Sequence, residues 1–195
     1  MLTPAEMAEA DQRTIAAGTP VATLMDRAGR AVAWEVRGRL DGVYGRRAAV
    51  VCGKGNNGGD GLVTAAVLAG WGVAVDVVEL AAASTAAAVD RALTRADVLV
   101  DAMYGTGFKG RLEGVAAEVA AASSDLLTVA VDIPSGIDGR TGRADGPAVR
   151  AAATVTFAAH KPGALFEPGR TNAGTVRVAD IGIDVGTPRL HLLEA

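Results

Sequence analysis

The strongest constraint on the fold is an alternation. Short, nearly unbroken apolar runs alternate with longer segments of helical character, and the runs end in loops rich in Gly, Asn or Asp. Ala48–Cys52 reads as a first buried strand, Val73–Val78 as a second, Asp97–Asp101 as a third and Leu126–Val131 as a fourth. Leu62–Ala69 closed by Gly70, Ser84–Ala96 capped by Ser84, and Glu113–Ala122 read as the intervening helices. Ala153–Phe157 and Thr175–Val178 follow as further strands. Strands apolar on both faces belong in a sheet covered on both sides. The pattern therefore predicts an α/β, three-layer αβα sandwich with a mainly parallel central sheet.

Two helices precede this unit. Thr3-Pro4-Ala5-Glu6 has the form of a capping box with Pro at the first helical position, predicting a helix to about Ala17 stopped at Gly18. A second helix starts after Thr19-Pro20 and carries Leu24, Ala28, Ala31, Val32 and Val36 on one face. They form an N-terminal helical extension. No repeat, low-complexity linker or interior boundary divides residues 1–195, which read as one domain.

Composition narrows the function classes. A chain of 195 residues buries roughly 70% of its unfolded surface, so no metal or disulfide staple is needed. The net charge of -3 gives no electrostatic case for nucleic acid or an acidic membrane. Cys52 is the sole cysteine, which excludes an intrachain disulfide and a cysteine metal cluster. The N-terminus lacks a secretory pattern and no apolar run approaches bilayer length, so a cytoplasmic location is expected. Arg is the default cation here. The only lysines are Lys54, Lys109 and Lys161, and two of the three Asn residues, Asn56 and Asn57, are adjacent.

Ligands of an open parallel sheet bind beyond the carboxyl ends of the strands. Three loops there carry unusual chemistry: Gly53–Gly61, Asp101–Arg111 and Asp132–Asp138. The first holds a formal G-x-G-x-x-G at Gly53, Gly55 and Gly58, with Glu79 ending the next strand as a candidate ribose-binding acid. That spacing admits an NAD-dependent dehydrogenase. Asn56, Asn57 and Asp60 argue against it, because a carboxylate is unfavourable beside a pyrophosphate. The Gly-Lys-Ser/Thr of an NTPase loop is missing. Asp101 and Asp132 each close an apolar strand, where a carboxylate needs a cation, hydrogen bonds or a capping role. If Asn57, Asp101 and Ser135 converge, they offer one carboxylate, one amide oxygen and one hydroxyl. Such a set suits K⁺ better than Zn²⁺, Ca²⁺ or Mg²⁺.

Val51-Cys52-Gly53-Lys54-Gly55-Asn56-Asn57-Gly58-Gly59-Asp60-Gly61 resembles the signature of the YjeF N-terminal family, the NAD(P)H-hydrate epimerases. The resemblance extends over nearly the whole chain. Val100-Asp101-Ala102 with Gly105–Gly110, Val131–Gly139, Thr154–Phe157 with Lys161-Pro162-Gly163, and Ala179–Ile183 resemble its later motifs. Leu24-Met25-Asp26-Arg27-Ala28-Gly29 resembles its helix motif, but Asp26 and Arg27 stand where Glu and Asn are common.

The resemblance implies a Rossmann-like fold, a homodimer and one K⁺ per subunit. It implies interconversion of the R and S forms of hydrated NADH and NADPH, with an ADP- or ATP-dependent dehydratase as functional partner. It places Asn57, Asp101 and Ser135 at the K⁺. It places Asn56, Asn57, Gly58, Gly59, Asp60, Gly105, Thr106, Gly107, Phe108, Lys109, Gly110, Arg111 and Asp132 at the substrate. Within that set Asp132 is the candidate for proton transfer, and Lys109, between two glycines, for closing over the ring or a phosphate. Lys54 is expected to support its loop and Lys161 to begin a turn. Non-catalytic nucleotide-binding or scaffold proteins share this fold, and bifunctional epimerase/dehydratases contain it as one half.

Overall fold

The computed structural model describes residues 1–80 and 86–187. Pro4–Ala16 and Val21–Arg39 form α1 and α2. Arg47–Cys52 (β1), Asn56–Gly70 (α3), Ala74–Glu79 (β2), Ala86–Arg95 (α4), Val98–Ala102 (β3), Gly114–Ala122 (α5) and Thr128–Val131 (β4) then alternate. Ala153–Phe157 (β5), Gly169–Ala173 (α6) and Thr175–Ala179 (β6) complete the order. The strands make one sheet, β2-β1-β3-β4-β5-β6, and every ladder is parallel. The expected α/β sandwich is present. The expected Ser84 cap lies outside the described residues.

Burial follows the apolar runs. β1, β3, β4 and β5 are inside, whereas the edge strands β2 and β6 are largely exposed. One core packs α2 and α3 on the sheet through Leu24, Val32, Val36 and Leu68; the other packs α4 and α5 through Val89, Leu93 and Val119. At α1, Thr3 accepts from the Glu6 N–H and the Glu6 carboxylate accepts from the Thr3 N–H, so the capping box forms as read. No helix among the described residues is long and apolar enough to cross a membrane.

One boundary differs in a way that matters. The expected helix start at Leu62 moves back to Asn56, so the Asn-Gly-Asp segment forms the first turns of α3. Glycines disfavour a helix locally. Here they let it close on the sheet: a Cβ on Gly61 would lie 2.5 Å from the Ala102 Cβ and 2.9 Å from Cys52 Sγ. The chain leaves β1 for β2 on one side and returns to β3 on the other, so the strand order reverses at the carboxyl end of β1.

Candidate active site

The loops after β1 and β3 line a groove of about 690 Å³ at this reversal, from Gly53 to Asn57 on one wall and Met103 to Phe108 on the other. Asp11 and Asn56 border both this groove and a smaller chamber of about 100 Å³. The chamber lies under α1 and α2. Met7, Leu24, Met25, Phe157 and Ile181 are among its apolar walls, and Asp11, Asp60, Asp132 and Lys161 are its titratable groups. A groove and a chamber that share Asp11 and Asn56, with convergent titratable groups, fit a small-molecule site.

Asp101 ends β3 with 0% exposure. Its Oδ1 accepts the Ser135 hydroxyl at 2.6 Å and the Met103 N–H at 3.2 Å, and its Oδ2 accepts the Ser135 N–H at 2.8 Å. Burial pushes the carboxyl up, and hydrogen bonds from Ser135 and Met103 partly offset this, leaving it at about 6. Ser135 Oγ also accepts the Tyr104 N–H at 3.0 Å, which ties the second loop to the third. Asn57 joins from α3: a Cβ on Gly105 would lie 3.2 Å from Asn57 Oδ1 and 3.5 Å from Asp132 Oδ2. The three loops read from the sequence therefore meet.

This set also fits a monovalent cation. The donors are hard oxygens, and Asp101 carries one buried charge with no ion-pair partner among the described residues. The Asn57 Nδ2 is buried with no hydrogen-bond partner among the described residues, and exchanging the amide oxygen and nitrogen would set the oxygen at that position.

Asp132 sits at the end of β4 with φ 68°, a left-handed conformation tolerated by Asp and Asn and characteristic of functional sites. Its Oδ1 accepts the Thr156 hydroxyl at 3.1 Å and pairs with the Lys161 ammonium at 2.6 Å. Lys161 does more than begin a turn. It is 1% exposed and heads the largest fully buried side chains. Its signal was available: a rare lysine just beyond a buried strand, as Asp132 lies just beyond another. Asp11, on α1, had no such signal.

Asp60 faces the same chamber, 8% exposed. Burial raises its carboxyl to about 8, with further upward pushes from the negative charges of Asp132 and Asp11. Burial also raises Asp11, against the pull of the Lys161 charge. Asp60 holds its proton more tightly folded than unfolded. Its contribution to stability is full below its unfolded value of 3.8 and is lost as pH rises through about 8. Asp60→Asn is therefore expected to gain in melting temperature over the native protein as pH rises from about 5 to about 9. A constant difference across a pH series of melts would contradict this.

Other expected residues sit farther out. Lys109 is exposed and pairs with Asp138 rather than reaching Asp132. Burial opposes ionisation of Asp138, but the Lys109 ammonium and the Thr141 and Arg140 N–H groups outweigh it and hold the carboxyl at about 2. Tyr104 and Phe108 pack on each other, ring centres 5.0 Å apart. Thr106 backs onto Gly139 and Arg111 lies over Gly146. Lys54 is exposed at the rim of the groove. Asp26 pairs with Arg30 on the surface, and Arg27 donates to the Ile181 carbonyl at 2.9 Å, so the departures in the helix motif have local partners. Burial, with a further push from Glu79, raises Cys52 to about 12, leaving it a packing residue.

Comparison with known proteins shows the family of the chain. The chain is 36% identical to an NAD(P)H-hydrate epimerase of Limosilactobacillus reuteri, with 96% of each covered. It is 39% identical to an NAD(P)H-hydrate epimerase of Pirellula staleyi, over 88% of this chain and 85% of that protein. A bifunctional NAD(P)H-hydrate repair enzyme Nnr of Moorella thermoacetica is 39% identical over 94% of this chain, which spans 40% of that protein's length. The crystal structure of yeast ynu0, YNL200c, shares the fold: TM-score 0.76, 21% identity, 97% of this chain and 96% of that one covered. The family model YjeF-related protein N-terminus matches residues 21–90 and 78–163. On that match and those relatives, this chain belongs to the YjeF-related N-terminal family.

Proposed function

We propose that the protein is an isomerase that interconverts the R and S forms of hydrated NADH and NADPH at ring carbon C6. The supporting observation is the chamber in which Asp60 and Asp132 face a common space, beside a groove of about 690 Å³. The names of full-length relatives point the same way.

Epimerisation requires the C6–O bond to break and re-form on the other face. Asp60, protonated near neutral pH by burial, hands its proton to the departing oxygen. The bonding pair leaves with that oxygen as water, and the ring becomes a planar N1–C6 iminium. Water adds to the opposite face and gives its proton to Asp132. The two carboxyls then re-equilibrate through solvent. The apolar walls of Met7, Leu24, Met25 and Phe157 limit bulk water around the flat intermediate. Lys109 and the Gly-rich loop at Gly105–Gly110 serve the phosphates at the rim.

In this reading Asn57, Asp101 and Ser135 hold one K⁺ per subunit, which supplies a fixed positive charge that locks the three loops together. Transfer from K⁺ to tetramethylammonium buffer is expected to lower the melting temperature and slow epimerisation. Asp101→Asn should abolish the K⁺-dependent part of the shift. An unchanged melt in both buffers would count against the cation. A homodimer, a cytoplasmic location and an ADP- or ATP-dependent dehydratase acting on the S form complete the proposal.

The test mixes R-hydrated NADPH with this protein and an S-specific dehydratase. Repair of the R form should run faster than its spontaneous epimerisation allows. If adding the protein leaves that rate unchanged, the epimerase reading fails. Tight NADH binding without epimerisation would favour a dehydrogenase instead.

A further inference from the structure

The largest fully buried side chain of the described residues is a lysine, and its ammonium is fully employed. Lys161 Nζ donates to the Phe157 carbonyl at 2.8 Å and to Thr156 Oγ1 at 3.0 Å, and it meets Asp132 Oδ1 at 2.6 Å. Three protons thus find three acceptors. The Thr156 hydroxyl donates a hydrogen bond to the same Asp132 oxygen at 3.1 Å. Asp132 Oδ1 is therefore fixed from two sides. Oδ2 receives no hydrogen bond among the described residues and lies toward Gly105.

A buried lysine is costly unless paired. Packing alone would be served by Met or Leu, and Lys161 lines the chamber together with Phe157 and Ile181. Its charge at this place is matched by the Asp132 carboxylate it meets. The backbone reinforces the arrangement. Asp132 and Ala158, at the adjacent ends of β4 and β5, both have positive φ, and the Asp132 N–H donates to the Val155 carbonyl at 2.7 Å. The turn carrying Lys161 and the turn carrying Asp132 are thus built against each other.

We propose that Lys161 is the positioning residue for Asp132: it clamps Oδ1, with Thr156, so that Oδ2 alone is presented to the reacting ring. Lys161 takes no proton from the substrate and acts only through the carboxylate. Loss of this clamp leaves the nucleotide groove intact and misplaces the group that handles the proton. Displacement of a reacting group by an ångström costs on the order of 10²-fold in rate.

This rests on the epimerase reading, so the native protein must first accelerate epimerisation; if it does not, that reading fails, whatever the variants do. Given native activity, Lys161→Met keeps the volume and removes the charge. Its kcat is expected to fall by on the order of 10²-fold, with the dissociation constant of unreactive NADPH within about two-fold of native. Lys161→Ala should recover part of its rate with ethylammonium, which can enter through the chamber, whereas the native protein should not respond. In the Asp132→Asn background, adding Lys161→Met should change kcat by less than about two-fold, since the clamp has nothing left to position. That double variant carries neither charge of the pair, so it tests the idea even if Lys161→Met alone folds poorly. Native kcat in Lys161→Met would overturn the proposal. So would a further large loss in the double variant, or an equal fall in NADPH binding.

Discussion

Asp132→Asn is expected to lower the rate of epimerisation by about 10²- to 10⁴-fold, the usual share of one proton-transfer group. NADPH affinity should change little, because the groove is lined by the first two loops rather than by Asp132. Asn is the informative replacement. It tolerates the left-handed φ of 68° at this position, and its amide oxygen can still face the Lys161 ammonium. A lower melting temperature is expected from the lost charge pairing, and a titration with NADPH separates that from lost chemistry. A variant that turns over hydrated NADPH at the native rate would remove Asp132 from the mechanism and leave Asp60 to act with another base.

Gly58→Ala is expected to damage the groove itself. A Cβ at Gly58 would fall 1.9 Å from the Gly53 carbonyl oxygen, and Gly53 has the same relation to the Met103 carbonyl at 1.8 Å. Both obstacles are backbone, so no rotamer change relieves them. The first turn of α3 must lift from the end of β1, carrying Asn57 away from Gly105. Overpacking of this kind costs about 1–3 kcal/mol, which for a chain of this size is a fall in Tm of about 2–12 °C. The K⁺-dependent part of the melt should shrink with it, because Asn57 is one of the proposed ligands. Thermal melts with and without K⁺ check both effects. A native melt with an unchanged K⁺ response would show that the helix can shift cheaply.

Much of this architecture was legible one element at a time. Capping chemistry placed α1, because Thr3 and Glu6 answer each other over a few residues. Unbroken apolar runs placed β1, β3, β4 and β5, because burial on both faces removes the need for alternation. β2 and β6 were readable from β-branched residues despite lying at the edges. Asp101 and Asp132 stood out because a carboxylate at the end of a buried strand demands a partner. Asn56–Asp60 was read as loop and is helix: local preference opposed helix there, and close packing of Gly58 and Gly61 on the sheet overrode it.

The sequence by itself determined the α/β order, the parallel sheet, the three loops at its carboxyl edge and the family to which their motifs belong. These follow from local rules of periodicity, capping and residue chemistry. Only the tertiary structure decided which groups share a space. It brought Lys161 from beyond β5 onto Asp132 beyond β4, raised Asp60 by burying it near two other carboxyls, swung Asp11 in on α1, and turned Lys109 outward to Asp138. Those relations depend on through-space distance and on the water excluded between elements, and neither is written in the spacing of residues along the chain.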